Sequence, residues 1–120
     1  MKAKQMTFDE YQALARRTQN TKLSMAERQL HALHGLASEV GEIHSIYQKV
    51  YQGHQFDPNE LEQEIGDVFW NLAELCDVNR WKMSDVAVKN IDKLEKRYPE
   101  GFDAERSVHR KEYEDGSEEG

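Results

Sequence analysis

Cysteine occurs once among the 120 residues, as Cys76, and proline twice, as Pro58 and Pro99. A lone cysteine excludes an intramolecular disulfide and suits a reducing compartment. It lies in an apolar helical pattern, where a thiol acts as a small buried hydrophobe. No apolar run approaches the roughly 20 residues that span a bilayer. Met1–Phe8 carries no signal-peptide core. The expectation is a cytoplasmic protein with no membrane partner. No stretch alternates apolar and polar residues as a half-buried strand does. Positive charge is not in excess either: 23 acidic residues face 16 basic ones, for a net −7. That balance argues against a nucleic acid polymer or an anionic membrane as partner, and leaves open a free nucleotide carried with its own cation. Apolar residues make up only 38% of a short chain, so one subunit has little material for a core. Completion by copies of itself, as a homodimer or homotetramer, is expected.

What is present is helical period, repeated several times. Thr7 to Glu10 reads as a capping box, followed by a face of Phe8, Tyr11, Leu14 and Ala15. Ser24 to Glu27 is a second capping box. After it Leu30, Leu33, Ala37, Val40, Tyr47 and Tyr51 recur at helical spacing, with Leu36, Ile43 and Val50 widening the stripe. Gln52-Gly53 ends that helix, glycine suiting a left-handed C-terminal residue. Asp57-Pro58-Asn59-Glu60 opens a third helix with an N-cap and a proline in the first position. Leu61, Ile65, Val68, Leu72 and Leu75 then form a seam. A turn over 77–81 leads to a fourth helix over 84–98, with Ala87, Ile91, Leu94 and Tyr98 on one face. Pro99 and Gly101 stop it. The remainder, 103–120, is an acidic tail without core residues, expected to be partly mobile. The fold class is therefore all-α: an antiparallel bundle of four main helices, completed by homo-oligomerisation.

Two acidic pairs stand out, Glu39-Val-Gly-Glu42 and Glu64-Ile-Gly-Asp67. Carboxylates three residues apart share a helix face and repel each other. The short link between the second and third helices makes them antiparallel neighbours. Glu42 precedes Gln52 by as many residues as Asp67 follows Asp57, so both lie about 15 Å from the turn. The pairs can therefore meet at one height. Four carboxylates so gathered stay ionised only beside a cation, and hard divalent cations prefer oxygen ligands. Gly41 and Gly66, inside the pairs, point to close approach of a helix or a ligand, or to ordinary packing. On the third helix Glu64, Asp67, Asn71 and Glu74 form a polar stripe that flanks the seam. Glu74 and Asp77 repeat the acidic spacing, but two to three turns too far along to join Glu39 and Glu42.

The stretch His31 to Glu42 resembles the first motif of MazG-like nucleoside triphosphate pyrophosphohydrolases. Leu61 to Trp70 is similar to their second motif, and Asn90 to Phe102 to their third. The resemblance covers about residues 7–109, and assigns residues 1–102 to a MazG-like helical domain. It implies an all-helical enzyme that uses Mg²⁺, with Mn²⁺ as substitute, to hydrolyse a nucleoside triphosphate to the monophosphate and pyrophosphate. It makes Glu39, Glu42, Glu64 and Asp67 the metal ligands and catalytic set. It makes Asn90, Lys93, Arg97 and Tyr98 candidates for the phosphates, and Lys49 a further basic residue near them. Gln48-Lys49 stands where many relatives carry two lysines. Asn71 stands where an aromatic residue often follows the second-motif tryptophan. His34 and Trp70 are candidates for packing on the nucleobase.

The chemistry is coherent by itself. Carboxylate-held metals neutralise phosphate oxygens and activate water, and Lys and Arg add fixed positive charge. Zinc lacks a third and fourth ligand beside His31 and His34. A di-iron carboxylate site lacks its Glu-x-x-His pairs. Trp81 reads as a packing residue. The remaining alternative is a non-catalytic helical dimer that binds a nucleotide or a protein.

Overall fold

A computed structural model describes residues 5–109. Among them are five helices and no strand: α1 (Phe8–Arg16), α2 (Met25–Tyr51), α3 (Pro58–Val78), α4 (Met83–Arg97) and α5 (Ala104–Val108). The chain divides into two compact units at Met83/Ser84.

In the first unit the helices start where the capping chemistry puts them. Thr7 Oγ1 accepts from the Glu10 amide at 3.1 Å while Glu10 accepts from the Thr7 amide at 3.0 Å. Ser24 and Glu27 do the same at 3.1 and 2.9 Å. Asp57 caps α3 through the Asn59 amide at 2.9 Å, with Pro58 first in the helix. Caps of this kind contribute about 1 kcal/mol each. α2 ends in a Schellman turn: His54 N–H reaches Lys49 O at 3.0 Å and Gly53 N–H reaches Val50 O at 3.1 Å, with Gly53 at φ +98°. α3 ends the same way. Trp81 N–H reaches Cys76 O at 2.9 Å and Arg80 N–H reaches Asp77 O at 3.0 Å, but the left-handed residue is Arg80, at φ +60°.

α2 and α3 run antiparallel. Asn79 bonds Gln29, Glu74 bonds His31, and Glu64 with Asp67 meets Glu39, so numbers fall on one helix as they rise on the other. The helices come close at Gly35, where an added Cβ would collide with the Asn71 side-chain amide. A Cβ at Gly41 or Gly66 would meet nothing within 4 Å, so neither is a point of helix contact.

α1 packs on α3 through a face that includes a polar residue. Ala15 is buried with Ala73 and Met83, and Tyr11, Trp70, Leu72 and Cys76 close around them. Gln12 is buried too. Its amide donates to Asp77 and to Trp81 O, both at 2.9 Å, and accepts from the Met83 amide at 2.8 Å. Phe8 and Leu14, expected on the buried face, are exposed. Burial pushes the Cys76 thiol up, with the Asp77 charge adding to it, which agrees with an inert thiol.

The apolar stripe expected to be buried on α2 is largely outside. Ala32 and Ile46 are buried, whereas Leu33, Val40 and Tyr47 are exposed and Leu30 is 55% exposed. On α3 the seam of Leu61, Ile65, Val68, Leu72 and Leu75 is only half-buried, and Ile65 is exposed. The polar stripe beside it goes inward instead, with Asn71 and Glu74 buried. Three-and-four spacing fits both stripes equally, and the pattern alone does not say which one meets α2.

In the second unit, Ile91 and Leu94 of α4 are exposed. Gly101, at φ +93°, follows the end of α4. Asp103 caps α5 through the Glu105 amide at 2.9 Å. This short helix lies in the stretch read as tail. Residues 110–120, the rest of that stretch, lie outside the described residues. No helix among the described residues is long and apolar enough to cross a membrane.

Candidate functional site

Glu39 leaves α2 toward α3 at the level where Glu64 and Asp67, one turn apart, face back. One carboxylate oxygen from each of the three lies within 4.8 Å of the others. Glu39 and Glu64 are half-buried and Asp67 is exposed, so the group is held by the helices but open to solvent. The Glu39 carboxyl is pushed up to about 7. The largest cause is the hydrogen bond it donates to Glu64; burial follows, then the charges of Asp67, Glu64 and Glu42. Three crowded carboxylates cannot all stay charged, and a proton on Glu39 relieves them.

That proton occupies the role a cation would take. The donors are all carboxylate oxygens, the set a hard divalent ion prefers. Ligands about 2.1 Å from Mg²⁺ are at most about 4.2 Å apart. Oxygens up to 4.8 Å apart therefore need to draw in only slightly. The residues present fit such an ion.

Glu42 is exposed, one turn beyond Glu39, and adds its charge to the rise of the Glu39 carboxyl, but it lies outside the three-oxygen group. His34 and Lys49 are exposed on α2. Lys49 is ten residues from Glu39, about 15 Å along the axis. Trp70 is half-buried; its Nε1–H donates to Thr18 Oγ1 at 2.8 Å, and its ring meets His31 edge-on at 6.3 Å. Asn90, Lys93, Arg97 and Tyr98 belong to the second unit. Asn90 and Lys93 are exposed there, Arg97 O accepts from the Arg106 guanidinium, and Tyr98 packs on Phe102 with ring centroids 5.6 Å apart.

Three features near the site were not read from sequence. Tyr11 has its hydroxyl pushed up by burial and then by the charge of Asp67, so α1 reaches the carboxylate group. Asn71 fills the notch over Gly35 and donates back to Asp67 O at 2.9 Å, bracing the turn that carries Asp67. Glu74 is 0% exposed, with Oε1 at 2.6 Å from His31 Nδ1 and Oε2 without a partner. The signal for the last two was their place on one face with Glu64 and Asp67. Trp81, expected to pack, is 58% exposed because the Schellman turn carries it past the end of α3.

The helices and the carboxylates together define an all-α protein with an oxygen-lined acidic centre between two antiparallel helices. The MazG nucleotide pyrophosphohydrolase domain matches residues 27–102, a span that includes both acidic pairs. The chain belongs to that family. The "Gene 37 protein" of Mycobacterium phage L5 is 32% identical over 72 residues, 56% of this chain. The chain spans 63% of that curated relative's length. No solved structure matches the chain.

Proposed function

We propose that the protein is a Mg²⁺-dependent nucleoside triphosphate pyrophosphohydrolase, with Mn²⁺ able to substitute. The carrying observation is the meeting of Glu39, Glu64 and Asp67 within 4.8 Å, in a chain of the MazG family. These three would hold the ion, with Glu42 as a fourth ligand. The bound ion supplies charge neutralisation at the phosphate oxygens and lowers the cost of making a hydroxide nucleophile.

The chain's own residues do the rest. As a carboxylate, Glu39 would accept a proton from the attacking water. That water adds to phosphorus, the α–β phosphoanhydride bond breaks, and monophosphate and pyrophosphate leave. Open space over Gly41 and Gly66 supports room for a triphosphate beside the carboxylates. Asn90, Lys93, Arg97, Tyr98 and Lys49 bind and orient the phosphates, and His34 and Trp70 flank the base. The four main helices complete a bundle as a homo-oligomer, dimer or tetramer, and the exposed apolar faces of α2 and α3 support that. The setting is cytoplasmic, as the lone cysteine suggests.

The test is pyrophosphate release from a panel of ribo- and deoxyribonucleoside triphosphates, with and without Mg²⁺. Release with Mg²⁺ and its loss in Asp67→Asn are expected. No release from any member of the panel would leave the non-catalytic helical dimer as the reading.

A further inference from the structure

Beyond the carboxylates, at the end of the α2–α3 pair away from the connecting turn, lies a cavity of about 480 Å³. It is formed by the start of α2, the α1–α2 connection and the turn after α3. Arg16, Arg28, Arg80 and Lys82 line it against a single carboxylate, Asp77. That carboxylate is already engaged, accepting from Gln12 at 2.9 Å and from Arg16 and Gln19 at 2.7 Å. It balances Arg16 and leaves the positive charge of Arg28, Arg80 and Lys82 without a carboxylate of its own in the cavity wall.

Three observations say what the cavity lacks. Arg28 donates to the neutral Gln19 side chain, and its Nε is buried without a partner. A buried guanidinium N–H without an acceptor is costly, and an anionic oxygen is its best partner. Trp81 lines the same cavity and is exposed, which offers a stacking surface for a planar ring. Arg80 holds the left-handed position of a turn in which glycine would be unstrained. Strain of this kind is kept where a side chain serves a ligand.

We propose that this cavity is a second binding site, for a free nucleotide taken without metal. Its phosphate is held by Arg28, Arg80 and Lys82, and its base lies on Trp81. The volume is in the range of small-molecule sites. Arg28 precedes Glu39 by eleven residues and Asp77 follows Asp67 by ten, so about 15 Å of helix separates the two centres. The assignment does not rest on the carboxylate reading. A polymer is disfavoured by the −7 net charge, which repels a strand beyond this one basic pocket.

The experiment is calorimetric titration of the full chain in EDTA, which silences any metal site. The probes are adenosine, guanosine, cytidine and uridine 5′-monophosphates, inorganic pyrophosphate and a short oligothymidylate. At least one monophosphate should bind at one site per chain. Lys82→Ala and Trp81→Ala should each weaken it about tenfold or more, and Asp67→Asn should leave it unchanged. Arg80→Gly should weaken binding while raising the melting temperature of the free chain, a combination that a folding defect cannot produce. Four results overturn the proposal: no monophosphate binds in EDTA, binding is lost in Asp67→Asn, pyrophosphate binds as tightly as the nucleotide, or the oligonucleotide binds more tightly than any monophosphate.

Discussion

The middle of the α2–α3 pair gathers Glu39, Glu64 and Asp67, and the end away from the connecting turn gathers Arg16, Arg28, Arg80 and Lys82 around Asp77. Both clusters carry an excess of one sign, but only the acidic one can correct itself. A carboxyl sheds its charge by taking a proton, and Glu39 does so near neutral pH. A guanidinium does not give up its proton in a protein. At the basic end Asp77 and Arg16 therefore settle each other. Burial by itself would raise Asp77, yet hydrogen bonds from Arg16, Gln19 and Gln12 and the Arg16 charge outweigh it and hold the carboxyl below its usual range. The Arg16 guanidinium is raised in turn, first by its hydrogen bond to Asp77. The guanidiniums of Arg28 and Arg80 have no such recourse. An acidic centre can wait for its ion half-neutralised; a basic one must find an outside anion or stay exposed.

The sharpest way to break this contrast is at the carboxylates. Glu39→Gln and Asp67→Asn should each cut metal-dependent turnover by on the order of 10³-fold. Helix content by circular dichroism should be unchanged, because the side chains stand at the open edge of the pair. At the basic end the largest loss should be in stability. Asp77→Ala strands Gln12, Gln19 and Arg16 together, and should cost about 3 kcal/mol by urea denaturation. The wild-type Asp77 contribution is present above its ordinary value of 3.8 and is lost as pH falls through the lower folded value.

Between the two clusters, Gly35→Ala should cost about 2 kcal/mol by displacing Asn71, and much of that should return in the Gly35→Ala, Asn71→Ala double variant. The acidic end also predicts a pH signature. Glu39 is raised from 4.5 to about 7, so its contribution to the metal-free fold is complete below pH 4.5 and is lost as pH rises to about 7. Divalent cations should therefore stabilise the chain more at pH 8 than at pH 5.5. Calorimetry in two buffers of different ionisation enthalpy should detect proton release on binding just below pH 7. The smallest effect should come from Arg80→Gly, which removes left-handed strain and should stabilise the free chain by about 1 kcal/mol in thermal unfolding.

Helix starts were legible because capping is local. Thr7 with Glu10, Ser24 with Glu27 and Asp57 with Pro58 act within four residues, and each begins a helix. The end of α2 was legible from Gly53, whereas the same turn after α3 was hidden because arginine occupies the glycine position. Convergence of the acidic pairs followed from counting residues to a short turn, and it holds for three of the four carboxylates. The choice of buried face did not follow from the pattern. Leu30, Leu33 and Ile65 stay exposed, while Asn71 and Glu74 take the contact with α2. Gln12 was invisible for a different cause, since its three partners are Asp77, Trp81 and Met83, all more than sixty positions away.

The notch at Gly35, filled by Asn71, works as a key in a keyway. A slip of even one residue would drive the amide against a bulkier neighbour, so the two rods have no freedom to translate past one another. The register the notch fixes is the one that sets Glu39 level with Glu64 and Asp67.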